Sequence, residues 1–278
     1  MKTGNAQATS LTSMRCGGRI AQLITVESID ELLRLLAGLN EYIILGGGYN
    51  TIFPDGLTLT PVIRLGEAFE VINGDGSGNI YAGGGASIAS ILTLCTEKGL
   101  SGIEFMAGIP GTLGGMIRMN AGTNDRGIMD ALSFIDLIDA TGPKRIEKND
   151  INYGYRHTVL PPKAVITGAG LTLNVTSSDD VRAKVASFIE RRKNQPKGLS
   201  SGCIFKNPEG SSAGYLIDKA GLKGRHIGGA VVSDIHANFI INDGSASSSD
   251  ILKLIGLIKD EVKKQFSIEL KEEVIILA

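Results

Sequence analysis

Three stretches of this chain gather glycine next to segments that read as regular elements. Gly46-Gly47-Gly48 follows the apolar run at residues 42–45, and Gly83-Gly84-Gly85 precedes a helical pattern. The longest includes Gly102, Gly108, Pro110, Gly111, Gly114 and Gly115, then continues to Asn120-Ala121-Gly122. Glycine permits positive φ and lets backbone approach a surface with no Cβ between them. Successive N–H groups can also converge on an anion. The 37 glycines among 278 residues are about twice the ordinary share, and no collagen-like repeat accounts for them. They must serve local geometry.

None of the three stretches is GxGxxG or GxxxxGK[ST], so the dinucleotide fingerprint and the P-loop are excluded. The first reads either as a phosphate cradle after a strand or as a tight turn. The second reads either as an anion site at a helix start or as a turn with Ser87 as N-cap. The third keeps Ile103, Phe105, Met106, Ile109, Leu113 and Met116 among its glycines. A loop shaped only for solubility would not, so backbone lying against a large ligand with phosphates and a ring system is expected.

The 28 basic and 29 acidic residues leave a net charge of -1, so no global positive field recruits nucleic acid or an acidic membrane. With 42% hydrophobic and 21% charged residues, the composition is that of an ordinary globular protein. Residues 1–13 are polar and lack the apolar core of a signal peptide. No apolar run approaches the ~20 residues of a membrane span. Cys16, Cys95 and Cys203 are odd in number and form no CxxC, which argues against a disulfide framework. A cytoplasmic chain is expected, with Cys16 and Cys95 as small core residues. His157, His226 and His236 are too dispersed for a zinc site, so no metal is expected.

Residues 20–50 read as strand, helix, strand. Ser28 is the N-cap, Asp30 and Glu31 lie in the first turn, Ile29, Leu32, Leu33, Leu35 and Leu36 form the core face, and Gly38 marks the stop. From residue 56 to 176 short alternating strands dominate, with hairpin turns at Asp75-Gly76 and Thr141-Gly142 and one helix, 87–98, ending at Gly99. A polar helix over 178–194 follows. Helices at 213–220 and 247–265 then flank the strands AVVS, NFIIN and VIIL. The expected class is α+β, with an antiparallel sheet in the middle region.

Several segments in order are similar to the UDP-N-acetylenolpyruvoylglucosamine reductase family: TSMRCGG (12–18), ILGGGYNTIFPDG (44–56), GIEFMAGIPGTLGG (102–115), MNAG (119–122), YGYRHT (153–158), the run from SGCIFKNP through AGLKG to HANFIIN (201–242), and IELKEEV (268–274). The resemblance spans residues 12–277, and the short C-terminal region resembles the family's shorter, type II, subtype. It implies a flavin-binding fold of the vanillyl-alcohol-oxidase type, in subdomains 1–65 and 66–187, plus a substrate domain at 188–278. FAD is the implied cofactor, its pyrophosphate near Gly46, Gly47, Gly48 and Asn50. Pro110, Gly111, Gly114, Gly115, Asn120, Ala121 and Gly122 would lie along the rest of it. NADPH would reduce the flavin and be replaced by UDP-N-acetylglucosamine enolpyruvate, giving UDP-N-acetylmuramate for peptidoglycan synthesis. No protein partner, nucleic acid or membrane is implied.

The resemblance also carries catalytic roles. Arg156 matches the arginine of the reduction step, with a fork of donors suited to a carboxylate. Cys203 stands where the family usually has a proton-donating serine. A thiol with an ordinary pKa of ~8.5 is a stronger acid than an alcohol and mostly protonated at neutral pH. Glu273 matches the C-terminal glutamate, although on the residues alone it is one surface acid among several. Arg192, Lys206, Asn207 and His236 are expected on the substrate's phosphates or sugar. Tyr49 and Tyr215 depart from the family's usual serine and arginine, and the loop after Gly122 lacks its common tyrosine. Two other readings stay open: a flavin oxidase of a small alcohol or sugar, and a non-catalytic nucleotide-binding module.

Overall fold

A computed structural model describes residues 1–123 and 126–277. The chain forms two compact units that do not follow sequence order. The first comprises residues 1–3, 23–47 and 60–193; the second comprises 4–22, 48–59 and the chain from 194 onward.

In the first unit, residues 23–26 pair in parallel with the strand Val62–Leu65, which also pairs in parallel with Ile43–Ile44. Helix α1 (Ile29–Ala37) connects them, capped by Ser28 Oγ, which accepts from Glu31 N at 3.2 Å. Leu32 is buried, and Leu33, Leu35 and Leu36 pack beside it against a core containing Ile24, Val26 and Ile63. Ile29, expected on that face, is instead 40% exposed. It occupies the first helical position, ahead of the turn that faces the sheet.

The expected antiparallel sheet has five strands, in the order Gly142–Glu147, Leu132–Asp139, Val165–Thr172, Asn79–Gly83 and Ile72–Gly74. Both predicted hairpin turns close it, with positive φ at Gly76 and Gly142. The central strand carries Gly168 and Gly170, where an added Cβ would stand 2.7 Å from Tyr81 Cζ and from Phe134 Cζ respectively. These two rings stack at 6.4 Å and cover the glycines, filling space that strand side chains would otherwise occupy.

Helix α2 (Ile88–Lys98) begins at Ser87, whose Oγ accepts from Ser90 N at 3.0 Å, and ends at left-handed Gly99. Helix α3 (Leu113–Arg118) lies inside the long glycine run, where the sequence reading has only loop. Leu113, Met116 and Ile117 are buried at helical spacing, but Gly114-Gly115, both poor helix formers, hide the pattern. Helix α4 (Ser178–Arg191) ends three residues before the expected limit.

The second unit holds α5 (Ala213–Lys219) and α6 (Ser248–Phe266), with antiparallel strands His226–Ile227, Ala230–Val232 and Ile240–Asn242. Ile251, Leu254, Ile255, Ile258 and Val262 make the core stripe of α6. Its start is capped by Ser247 and by the distant Asp55 carboxylate, which accepts from Ser248 N and Ser249 N at 2.7 and 2.9 Å. A negative charge at a helix N-terminus is favourable. The terminal strand Ile275–Ile276 pairs in parallel with Thr51–Ile52, a partner the sequence does not announce. Cys16 and Cys95 are buried in the cores of the second and first units respectively. No described helix is long and apolar enough to cross a membrane.

Candidate functional site

The three glycine stretches differ in what their backbones do. Those of Gly83, Gly84 and Gly85 are committed within the first unit: their N–H groups donate to Val71 O, Thr167 O and Phe69 O at 2.9, 2.8 and 2.9 Å. A Cβ on Gly83 or Gly84 would collide with Phe69 O or Ile166 O. This stretch is a close-packed turn with Ser87 as N-cap, which decides between the two readings of it.

The outer stretches behave differently. Among the described residues, the N–H groups of Gly46, Gly111, Thr112 and Gly115 donate to no protein acceptor. A Cβ on Gly46 would stand 2.8 Å from Thr112 Oγ1 and 3.9 Å from Gly115 Cα, so the first and third stretches meet there. Gly114 is needed for packing, since its Cβ would lie 3.1 Å from Gly84 O. Gly115 is not. It is exposed, and its Cβ would meet only Thr112 Oγ1 at an ordinary 3.5 Å. A glycine inside a helix costs about 0.5–1 kcal/mol relative to alanine, and nothing within the protein requires it here. A surface of unpaired amides with a Cβ-free helix start fits the phosphates and ring of a dinucleotide cofactor. Gly48, in the second unit, has φ of 71°, and its O accepts from Ser13 N at 3.1 Å.

The end of the long run is tied to Arg156. The hairpin pairing Tyr153–Gly154 with His157–Thr158 places Tyr155 and Arg156 at its tip, with Arg156 at φ 57°. Arg156 Nη2 donates to Gly122 O at 2.9 Å, and its guanidinium lies 5.2 Å from the Tyr155 ring centre. Asn120 is 8% exposed and holds the hairpin and the following turn together: Nδ2 donates to Gly154 O at 3.0 Å, and Oδ1 accepts from Met129 N at 3.2 Å. Its side chain is structural, so a ligand contact at Asn120 would come from its backbone. The departure from the family loop falls partly on Asn124 and Asp125, outside the described residues. Arg192 also belongs to this unit, its Cδ over Gly108, where a Cβ would be 2.9 Å away.

In the second unit, the segment Cys203-Ile204-Phe205-Lys206 runs between two others. On one side Cys203 bridges to Phe239, and Ile204 N donates to Asn238 O at 2.8 Å. On the other, Glu273 N donates to Ile204 O at 2.7 Å and Lys206 N to Lys271 O at 2.9 Å. Cys203 and Glu273, seventy residues apart, are thereby neighbours in one backbone ladder, and both are half-buried. Asn50 Nδ2 donates to Glu273 O at 3.0 Å, so the residue expected near a pyrophosphate has its side chain on the glutamate segment.

His236 Nδ1 accepts from Asn238 N at 3.2 Å, and its ring lies 5.0 Å from that of Phe239. Burial, with a lesser contribution from Lys223, lowers its pKa. It is therefore neutral near pH 7, with Nδ1 as acceptor and the proton on Nε2. Asn207 Oδ1 accepts from Ala213 N at 3.0 Å, at the start of α5. Lys206 is half-buried. Of the four residues expected on the substrate, Arg192 thus lies in the first unit and Lys206, Asn207 and His236 in the second.

The sequence reading overlooks Asn238 and Asn242. Asn242 Nδ2 donates to Met14 O at 2.8 Å, and its Oδ1 accepts from Gly244 N and Ala246 N at 2.8 and 2.9 Å. Two buried asparagines four apart in HANFIIN, a strand-like run, are the signal that was there to be read. No group of three or more potential metal ligands occurs among the described residues.

Residues 20–144 match the family model described as FAD binding domain, and residues 195–277 match that of the UDP-N-acetylenolpyruvoylglucosamine reductase C-terminal domain. The chain is 40% identical to the UDP-N-acetylenolpyruvoylglucosamine reductase of Syntrophobacter fumaroxidans, over 96% of its own length and 81% of that protein. It is 38% identical to that of Geobacter metallireducens, over 96% and 90%. The crystal structure of UDP-N-acetylenolpyruvylglucosamine reductase from Thermus caldophilus superposes with a TM-score of 0.90 at 34% identity, covering 100% of both chains. The expected α+β class, with a flavin domain and a distinct C-terminal domain, agrees with these matches.

Proposed function

Since the chain belongs to the UDP-N-acetylenolpyruvoylglucosamine reductase family and is an oxidoreductase with an FAD-binding domain, we propose that it reduces UDP-N-acetylglucosamine enolpyruvate to UDP-N-acetylmuramate at the expense of NADPH. The observation that carries the cofactor part of this reading is the unpaired amide surface of Gly46, Gly111, Thr112 and Gly115. Gly46, Gly47, Gly48 and Asn50 go with the pyrophosphate in this reading, and Pro110 through Gly122 with the remainder. The division into 1–65, 66–187 and 188–278 accompanies it.

When bound, FAD would supply the hydride that adds to the terminal carbon of the enolpyruvyl group. The double bond then places an electron pair on the carbon that bears the ether oxygen and the carboxylate. Arg156 clamps that carboxylate and offsets the charge spreading onto its oxygens. Cys203 gives its thiol proton to the same carbon and is left as thiolate. Glu273 supports this step, and Arg192, Lys206, Asn207 and His236 hold the nucleotide-sugar. A neutral His236 donates through Nε2–H. The link between the Ile204 and Glu273 backbones supports pairing Cys203 with Glu273. Hydride plus proton converts the enol ether to a lactyl ether. The match at 195–277 to the reductase C-terminal domain favours this reading over a flavin oxidase of a small alcohol or sugar.

Anaerobic stopped-flow spectroscopy tests this reading. NADPH should bleach the visible absorption of the oxidised flavin, and UDP-N-acetylglucosamine enolpyruvate should then restore it without oxygen. Flavin that stays reduced after the enolpyruvyl substrate is added sinks the assignment.

A further inference from the structure

Glu104 stands near the start of the long glycine run, 4% exposed, and the reaction above makes no use of it. Its two oxygens are engaged separately: Oε1 accepts from Ser101 Oγ at 2.5 Å and Oε2 from Gly102 N at 2.8 Å. Ser101 Oγ accepts in turn from Lys184 Nζ at 2.8 Å, and that ammonium lies 3.8 Å from Glu104 Oε1. A carboxylate removed from water is tolerated only when bonded and paired. Here the pairing joins the bend at 101–104, whose Gly102 has φ of 148°, to helix α4.

The same helix reaches the other end of this segment. Arg192, the residue that ends α4, follows Lys184 by eight positions, a little over two helical turns, and its Cδ lies over Gly108. Between them, Val185 and Phe188 pack on the core that holds Ile103, Phe105 and Met106. Helix α4 therefore grips residues 101–108 at both ends and in the middle, like a splint. From Gly108 the chain passes directly through Ile109 and Pro110 to the open amides of Gly111 and Thr112.

We propose that Glu104, acting through Ser101 and Lys184, is a positioning residue for the cofactor-facing amides. It fixes the spacing between α4, which leads to Arg192, and the segment that presents Gly111 and Thr112. The inference rests on the reading of this surface as the FAD site. Glutamine at this position keeps the shape but replaces one acceptor by a donor. Either Gly102 N or the Ser101–Lys184 pair then loses its partner, and the bend relaxes.

Calorimetric titration of FAD into deflavinated protein, alongside spectra of the rebound flavin, tests this. Glu104→Gln should weaken FAD binding by about tenfold or more, since the relaxed bend must then be ordered as FAD binds. Lys184→Met should act in the same direction, and Lys184→Arg should restore affinity and spectrum. The Lys184 side chain is 53% exposed, so both lysine variants should fold. Without FAD, Lys184→Arg should melt at the wild-type temperature and Lys184→Met, which leaves the buried Glu104 carboxylate without its countercharge, somewhat lower. If Glu104→Gln fails to fold, the lysine pair decides. Lys184→Met binding FAD with wild-type affinity and spectrum overturns the inference alone. Wild-type protein that takes up no FAD overturns the cofactor reading and this inference with it.

Discussion

The side-chain amide of Asn238 closes two hydrogen bonds on the backbone of Phe205: Phe205 N donates to Oδ1 at 2.9 Å, and Nδ2 donates to Phe205 O at 2.8 Å. Asn238 is 2% exposed and substitutes for a neighbouring strand beside the segment that carries Cys203 and Lys206. Asn238→Leu would orphan both Phe205 groups, at about 1–3 kcal/mol for each. We expect a lower melting temperature and slower reoxidation by the enolpyruvyl substrate, with flavin reduction by NADPH spared. Equal slowing of the two half-reactions in stopped-flow would show that the clamp does not act through the Cys203 segment.

The three cysteines should be chemically distinguishable. Cys203 is half-exposed, whereas burial raises the Cys16 pKa and pushes that of Cys95 up to about 12. Only thiolates alkylate readily, so brief iodoacetamide treatment at neutral pH should label Cys203 alone, as peptide mass mapping would record. The labelled protein should still accept electrons from NADPH yet lose turnover of the enolpyruvyl substrate. Cys203→Ser should keep substantial turnover and resist the reagent. Label at Cys95 ahead of Cys203 would contradict the packing described here.

Arg156 should separate the half-reactions. Its contact with Gly122 O, 2.9 Å, orients the guanidinium at the hairpin tip. Arg156→Ala should slow the enolpyruvyl half-reaction by about a hundredfold or more, as expected for a lost oxyanion donor, and alter NADPH reduction little. Comparable losses in both would make Arg156 a structural residue of the hairpin.

A pH effect on stability follows from the hairpin that turns at Thr141-Gly142. The Lys144 ammonium and Thr141 hydroxyl and N–H hold the Asp139 carboxyl down to about 2; Lys144 Nζ lies 2.9 Å from Oδ2. A carboxyl depressed in the folded state adds stability above its unfolded pKa of ~3.9, and that contribution fades as pH falls toward the folded value. Asp139→Asn should therefore unfold more easily in urea at pH 7, with the gap from wild type closing between roughly pH 4 and 2. A gap that stays constant over that window would place the effect elsewhere.

Local signals in this chain were legible where one residue type has one mechanical use. Ser87 and Gly99 bound α2, Ser28 starts α1, and Gly76 and Gly142 turn the hairpins, each because cap or φ demands it. Legibility ended where the determinant was remote. Helix α3 hides behind Gly114-Gly115, the pairing of Ile275 with Thr51 spans most of the chain, and Asp55 caps a helix that begins at Ser248. The site shows the same division. Glycine density found the surface around residues 111–115, but could not separate Gly84, needed for packing, from Gly115, which is not. Glu273 became a candidate only through resemblance, since its tie to Ile204 joins segments seventy residues apart.

That last contrast yields a direct test of the cofactor surface. Within the protein, Gly115 has room for a methyl group, its nearest neighbour being Thr112 Oγ1 at 3.5 Å. Alanine should therefore stabilise the FAD-free protein by about 0.5–1 kcal/mol, the ordinary gain of replacing glycine inside a helix. The same methyl would stand where a phosphate or ring is meant to approach the open Gly115 amide, so FAD affinity should fall while the melting temperature rises. Gly114→Ala should do the opposite to the bare fold, since its Cβ would press 3.1 Å from Gly84 O. Thermal melts of deflavinated protein and FAD titrations on the two variants separate the cases. A Gly115→Ala protein that gains stability and binds FAD as tightly as wild type would move the cofactor away from the start of α3.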